Sequence, residues 1–181
     1  LNMQAYKSDD NKFKDAMKES CSKIHAMALV HEFLYLGENL AYINVDEYIN
    51  KLVEDIKDIY ITQNTHISTD LNIDHIEFSI NRCIQVGMLI HELCVNSLKY
   101  AFKEDRDNLL CIHVKEIDNQ IKIKIRDNGE GLKDFNSLEK SNSIGMQLIH
   151  SIVDFQLHGT ISFTNNDGLE CNIVFPKKEI K

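Results

Sequence analysis

Phe13, Met17, Ser20, Ile24, Met27, His31 and Leu34 follow one another at steps of 4, 3, 4, 3, 4 and 3. This spacing predicts a helix over 10–36 with a coiled-coil type of a/d seam. Ala16, Cys21, Ala28 and Tyr35 widen the seam into a bundle face. Ser8 and Asp9 are the expected caps and Gly37 the expected stop, with residues 1–7 as the tail of a preceding helix and Lys7–Asp10 as the turn. A seam of this length needs a partner helix, so the pattern predicts a helical hairpin that dimerises.

A second helix is expected to start near Asn44, where Asn44 and Glu47 have capping-box spacing. Its inward face is Tyr48, Ile49, Leu52, Val53, Ile56, Ile59 and Tyr60. Beyond Thr62 the period changes. Ile67–Leu71 and Ile76–Phe78 read as strands, and Arg82–Phe102 returns to helical spacing. Leu110, Ile112 and Val114 alternate with polar neighbours, Asp118-Asn119 turns, and Ile121, Ile123 and Ile125 alternate again, which predicts a hairpin over 109–127. Ile144–Leu157 is a third helix. Ile161–Phe163 and Asn172–Phe175, joined by Asn165–Gly168, form a last hairpin. Helices come first and a mixed α/β unit follows. The expected division is therefore 1–62 and 63–181.

Composition narrows the classes. Among 181 residues, 20 Lys+Arg against 28 Asp+Glu give a net charge of −8, and the pI is near 5.4. That balance argues against nucleic acid as a partner, because phosphates require clustered positive charge. No stretch approaches the ~18 apolar residues of a membrane span, so direct membrane contact is not expected. Five cysteines, at 21, 83, 94, 111 and 171, include no C-x-x-C pair. They read as free thiols in a reducing compartment, and the expected location is cytoplasmic. The chain begins with Leu, which suggests a piece of a longer protein, one compatible with anchoring through other regions. Of only seven glycines, Gly129, Gly131 and Gly145 fall in one short region.

Three segments carry candidate chemistry. Glu92, Asn96, Lys99 and Lys103 step by 4, 3 and 4 and share one narrow helix face. A carboxylate, an amide and an ammonium so placed suit a base, a metal ligand and a phosphate partner. The same stripe also fits a solvated face of an amphipathic helix. Arg126-Asp127-Asn128-Gly129-Glu130-Gly131-Leu132 follows a strand directly, so a ligand could approach the glycine backbone while the carboxylate takes its donor. A tight surface turn has the same signature. Ser141-Asn142-Ser143-Ile144-Gly145-Met146 opens a helix whose free N–H groups suit a phosphate, or a plain N-cap. Neither the dinucleotide fingerprint nor the P-loop is present, and His31-Glu32 and His91-Glu92 lack the second histidine of a zinc protease.

In this order the segments resemble the ATP-binding domain of the GHKL superfamily, and specifically that of sensor histidine kinases. His91–Phe102 resembles the N box, Asp127–Leu132 the G1 box, Ser143–Leu148 the G2 box, and Gly168–Pro176 the final strand motif. Ile24–Tyr35 with Ile43–Leu52 resembles the second helix and exit of a dimerisation hairpin. The resemblance implies an α+β chain: a helical hairpin remnant, then a two-layer α/β sandwich with a mixed sheet, the Bergerat fold. It implies ATP and Mg²⁺ as cofactors. Asp127 would accept from the adenine amino group, with Gly129 and Gly131 giving the purine access to the backbone. Asn96 would ligate Mg²⁺ and Lys99 would pair with phosphate. Glu92 would be the catalytic base or polariser. Ser143, Gly145 and Met146 would hold phosphate at the helix start, and residues 132–144 would form a short lid.

The implied partners are a second copy, through the N-terminal helices, and a response regulator receiver domain. The phosphoacceptor histidine would lie upstream of residue 1. His31, on the a/d seam of the second helix, is expected to be packed and not the acceptor. Two departures stand out. There is no Trp, which excludes the subgroup carrying Trp-x-Glu after the G1 box. Leu169 and Cys171 replace the usual Thr and Phe after Gly168. The alternatives are a GHKL ATPase of the chaperone, topoisomerase or mismatch-repair kind, and a non-catalytic dimerising scaffold.

Overall fold

A computed structural model of the chain describes residues 2–36, 41–61, 66–103, 106–132 and 143–178. Helix α1 (Asn2–Leu36) leads through strand β1 (Tyr42–Asn44) into α2 (Val45–Tyr60), then β2 (Ile67–Ile73), β3 (Glu77–Ser79) and α3 (Ile80–Asn96). A π-helical turn, Ser97–Ala101, extends α3. Strands β4 (Asn108–Ile117) and β5 (Gln120–Asp127), helix α4 (Ile144–His150) with its π-helical extension Ser151–Gln156, and strands β6 (Thr160–Asn165) and β7 (Leu169–Pro176) complete the order. The main sheet runs β2-β4-β5-β7-β6. Only the β2–β4 pair is parallel, so the sheet is mixed.

Strict alternation builds this sheet. Leu110, Ile112 and Val114 of β4, Ile121, Ile123 and Ile125 of β5, and Cys171, Ile173 and Phe175 of β7 are all buried, on the face that meets the helices. The β4–β5 turn forms as expected: Asp118 and Asn119 have φ of 54° and 60°, the two left-handed residues of a turn whose twist matches the strands. In the small β1–β3 ribbon, with Ile43 opposite Phe78, β3 falls at the strand expected over Ile76–Phe78, whereas β1, three residues long, was not legible in the periodicity.

Helix α3 lies at the centre, between the sheet and α1 and α2. From Val86 to Val95 every residue is buried, since an element covered on both sides has no solvent face. Ala26, Leu29 and Val30 of α1 and Ile49, Leu52 and Val53 of α2 share one core with α3 and the sheet. The expected boundary after residue 62 falls on residues that are not described, as does Gly37. Gly87 shows how close this packing is: a Cβ there would lie 1.8 Å from the Tyr48 hydroxyl. That hydroxyl is itself held by donating to the Ala26 carbonyl at 3.2 Å. Gly87→Ala is therefore expected to cost about 1–3 kcal/mol by overpacking, read as a lowered urea midpoint.

Two expectations need correction, on the turn and on the cap of α2, and two others, on the seam and on His31, are not met within a single chain. Residues 2–36 form one uninterrupted helix, so no turn occurs at Lys7–Asp10 and Ser8 and Asp9 are not caps. The Asn44 side chain does not cap α2; its amide donates to the Glu47 carboxylate at 3.4 Å and meets His75 at 3.3 Å. The proposed seam of α1 faces outward within the chain: Phe13, Met17, Ile24 and Met27 are exposed, and the buried residues are Ser22, Ala26, Leu29 and Val30, a neighbouring stripe. His31 is exposed with that seam, so it is not packed by this chain.

Candidate functional site

A cavity of about 560 Å³ opens between the C-terminal end of α3, the end of β5 and the start of α4. The regular elements fix its walls. The helical period sets Glu92, Asn96 and Lys99 along one side. The strand end sets Asp127 at the bottom, and the α4 start brings Ser143, Ile144, Gly145 and Met146 to the other side. Phe163, Leu169 and Cys171 from β6 and β7 add apolar floor. Segments far apart in sequence thus converge on one hollow.

Asp127, 3% exposed, is the most constrained polar group in it. Its Oδ1 accepts from the N–H of Gly129 at 3.0 Å and of Leu169 at 3.2 Å. Its Oδ2 accepts from the Ser97 hydroxyl at 2.9 Å. A carboxylate has about four acceptor positions. Three are taken, which leaves one on Oδ2 for a donor from the cavity. The π turn explains why Ser97 is available: the wider turn carries Ser97 inward, buried, while Lys99 and Tyr100 are exposed. Ser97 thus adds a hydroxyl to the partners of Asp127. Sequence reading missed it, although it directly follows Asn96.

The two G1 glycines divide their work. Gly131 lines the cavity with φ of +68°, a conformation costly for other residues. Gly129 is not among the lining residues; a Cβ there would lie 2.7 Å from the Ala101 methyl, so its bareness lets the α3 extension pack behind Asp127. Gly145 faces Glu92, whose Oε2 would be 2.8 Å from an added Cβ. The Ser143 hydroxyl caps α4 by accepting from the Met146 N–H at 3.3 Å. Of the expected lid, residues 133–142 lie outside the described residues, Ser141 and Asn142 included.

Charge is arranged in pairs around the rim. Glu92 is 4% exposed, contrary to a solvated stripe, because α1 covers it. Its carboxylate meets Lys23 of α1 at 3.1 Å and the buried His91 at 3.3 Å. Burial opposes its ionisation, but the hydrogen bonds from His91 and Lys23 prevail and hold its pKa below the usual value. Lys99 reaches Glu19 of α1 at 2.5 Å, and Glu19 also pairs with Lys23 at 2.8 Å. Hydrogen bonds from Lys23 and then Lys99 bring Glu19 down to about 2. At the mouth, Lys103 pairs with Glu130. Glu19 and Lys23 sit off the predicted seam, and their i,i+4 spacing was the signal that could have drawn attention to them.

Oxygen donors are available from Asn96 and Glu92 on one wall, which suits a hard cation such as Mg²⁺ that keeps waters and takes phosphate oxygens. Among the described residues no cluster of three His, Cys, Asp or Glu could hold a metal by itself.

Several known proteins resemble this chain in sequence and fold. Residues 1–60 match the HisKA_2 family, described as histidine kinase. The sensor histidine kinase PdtaS of Mycobacterium tuberculosis is 25% identical over 166 residues, covering 89% of this chain and 32% of that protein. Its Mycolicibacterium smegmatis counterpart is 24% identical over the same coverage. The chain thus spans about a third of the length of these curated relatives. Among solved structures, the histidine kinase domain of the Erythrobacter litoralis EL346 blue-light activated histidine kinase superposes with a TM-score of 0.76 at 18% identity, over 87% of this chain and 74% of that one. The Acinetobacter baumannii histidine kinase AdeS does so with a TM-score of 0.61 at 18% identity, over 96% and 84%.

The fold is thus the α+β fold of histidine kinase domains, helices over a mixed five-stranded sheet. Family match, relatives and fold together bear out the resemblance of this chain to the sensor histidine kinases.

Proposed function

We propose that this chain is the kinase core of a two-component sensor histidine kinase, binding Mg-ATP in the cavity and passing its γ-phosphoryl group to a histidine upstream of residue 1. The observation that carries this reading is the single acceptor position left on Asp127, in a cavity that also presents an apolar floor, the start of α4, the Lys99 and Lys103 ammonium groups and the Glu92 carboxylate. An exocyclic amino group fits that position, and a guanine carbonyl there would set acceptor against acceptor.

Asn96 would hold Mg²⁺ through its amide oxygen, and the ion when bound would neutralise phosphate charge. Lys99 would pair with phosphate, and Ser143, Gly145 and Met146 would present the start of α4 to it. In the transfer, the acceptor imidazole nitrogen bonds to the γ-phosphorus while the bond to the β-bridging oxygen breaks and ADP leaves. Glu92, kept ionised by its partners, suits a polariser that accepts a hydrogen bond from the imidazole better than a strong base. The outward stripe Phe13, Met17, Ile24 and Met27 supports pairing with a second copy through the N-terminal helices. In that assembly residues 1–62 serve dimerisation and 63–181 nucleotide chemistry. The phosphoryl group would pass on to a response regulator receiver domain. No described helix is long and apolar enough to cross a membrane.

The test is incubation with γ-labelled ATP and Mg²⁺ of the protein together with its upstream sequence. Acid-labile, base-stable label on the protein is expected. Release of free phosphate with no protein label would favour the GHKL ATPase alternative. Nucleotide binding without either would favour a scaffold.

A further inference from the structure

Residues 128–132, after β5, are neither helix nor strand, yet Glu130, Gly131 and Leu132 form part of the cavity wall. Side-chain amides hold this segment at both ends. Asn128, at its start, donates from Nδ2 to the Asp107 carbonyl at 2.8 Å and accepts at Oδ1 from the Leu109 N–H at 2.8 Å. Asn165, the last residue of β6, holds the other end. Its Oδ1 accepts from the Leu132 N–H at 2.9 Å, and its Nδ2 donates to the Leu132 carbonyl at 2.8 Å. Both contacts go to one residue. In an antiparallel pair a residue exchanges N–H and C=O with the residue opposite, and the Asn165 amide stands in for such an opposite residue. A primary amide offers the donor and the acceptor this requires; a carboxylate cannot donate, and alanine offers neither. Just before Leu132, Gly131 bends at φ of +68°, and a Cβ there would lie 2.5 Å from Asn165 Oδ1. The bare glycine lets the amide come close. The same β6–β7 hairpin places the Leu169 N–H on Asp127 Oδ1 at 3.2 Å, so its tip holds both the buried carboxylate and the wall beside it. Asn165 is not among the lining residues and acts through Leu132.

We propose that Asn165 is a positioning residue of the nucleotide site, its amide clamping the N–H and C=O of Leu132 so that the Gly131–Leu132 wall is in place before a nucleotide arrives. The inference rests on the reading of the cavity as a nucleotide site. A wall already held spares the ligand the cost of ordering it. Without the amide, the free protein spreads over several positions of the wall, of which a fraction admits the nucleotide, and the apparent affinity falls by that fraction. Two neutral hydrogen bonds at an exposed position make the expected loss about fivefold. Asn165 is exposed and outside the core, so its removal acts on the wall and leaves the folded fraction as it was.

The experiment titrates wild type, Asn165→Ala and Asn165→Asp with ADP and Mg²⁺ by calorimetry, which reads affinity and the fraction of competent protein separately. Amide hydrogen exchange compares the free proteins. Asn165→Ala is expected to bind ADP about fivefold more weakly at unchanged stoichiometry. Its Leu132 amide is expected to exchange faster, while the Leu169 amide keeps its wild-type rate. Asn165→Asp keeps an acceptor for the Leu132 N–H but sets oxygen against the Leu132 carbonyl, and is expected to bind no better than Asn165→Ala. Equal affinity in wild type and Asn165→Ala overturns the positioning role while the nucleotide site stands. A lowered stoichiometry at unchanged affinity also overturns it, since Asn165 then serves only to keep the chain folded. Wild-type affinity in Asn165→Asp overturns the two-point clamp. Absence of ADP binding by the wild type overturns the nucleotide reading itself, and the role of Asn165 with it.

Discussion

Asp127→Asn is expected to weaken ADP binding about a hundredfold while the protein stays folded. The substitution keeps the shape of the side chain. Its amide oxygen can remain at the Oδ1 position, where two backbone N–H groups, of Gly129 and Leu169, require an acceptor. The NH₂ group then takes the Oδ2 position. Ser97 adapts, because a hydroxyl rotates and accepts as readily as it donates. The ligand amino group cannot: donor meets donor in a buried place, at about 1–3 kcal/mol. Displacement of a fluorescent adenine nucleotide measures the loss, and an unchanged thermal midpoint distinguishes it from unfolding. Equal binding by wild type and variant would remove Asp127 from ligand recognition.

Gly168→Ala is expected to be the most destabilising single change among the glycines. Gly168 has φ of +128°, and a Cβ would lie 1.9 Å from the Asp127 carbonyl oxygen and 2.9 Å from the Asn128 Cα. Both obstacles are backbone, so no rotamer change relieves them. Strain of this kind costs about 1–3 kcal/mol for the conformation alone, and moving the β5 end adds about 1–3 kcal/mol of overpacking. The shift also pulls Leu169 away from Asp127 Oδ1. Stability and ADP binding should therefore fall together, measured by urea unfolding and the same displacement assay. Asp127→Asn separates the two properties and Gly168→Ala joins them; the contrast tests whether the turn before β7 exists to hold the carboxylate.

The parts of the fold legible in the sequence are those where one face is buried and the other wet. The alternation in β4 and β5, and the Asp118-Asn119 turn between them, reproduce the observed register with Ile112 opposite Ile125. The same holds for the inward face of α2, where Tyr48, Ile49, Leu52, Val53 and Ile56 are buried. Helix α1 was legible as a helix and misleading as a surface. Its more hydrophobic stripe, through Phe13, Met17 and Ile24, turns outward, and the stripe with Ser22 and Ala26 meets α3. A 3.5-residue period identifies an apolar seam and does not say which partner it faces, whether another part of the same chain or another molecule.

The candidate site divides along similar lines. Glu92, Asn96, Lys99, Asp127, Gly131, Ser143, Gly145 and Met146 all line one cavity, as their grouping into boxes implied. Gly129 supports it from behind. What the boxes could not convey is tertiary: that α1 lies across the N-box face, burying Glu92 and pairing Lys99 with Glu19. Helical spacing placed those residues on one stripe but carried no information on what covers it. Ser97 escaped notice because an ideal 3.6-residue turn takes it off the stripe, and a wider π turn brings it to Asp127.

The central claim is that the cavity is an adenine-nucleotide site, and the most direct measurement is a calorimetric titration of the unmodified protein with ADP and, separately, GDP in the presence of Mg²⁺. The account predicts one site that binds ADP and discriminates strongly against GDP, because Asp127 has an acceptor to offer and no donor. Equal affinity for the two nucleotides, or no binding of ADP by the folded protein, would contradict it.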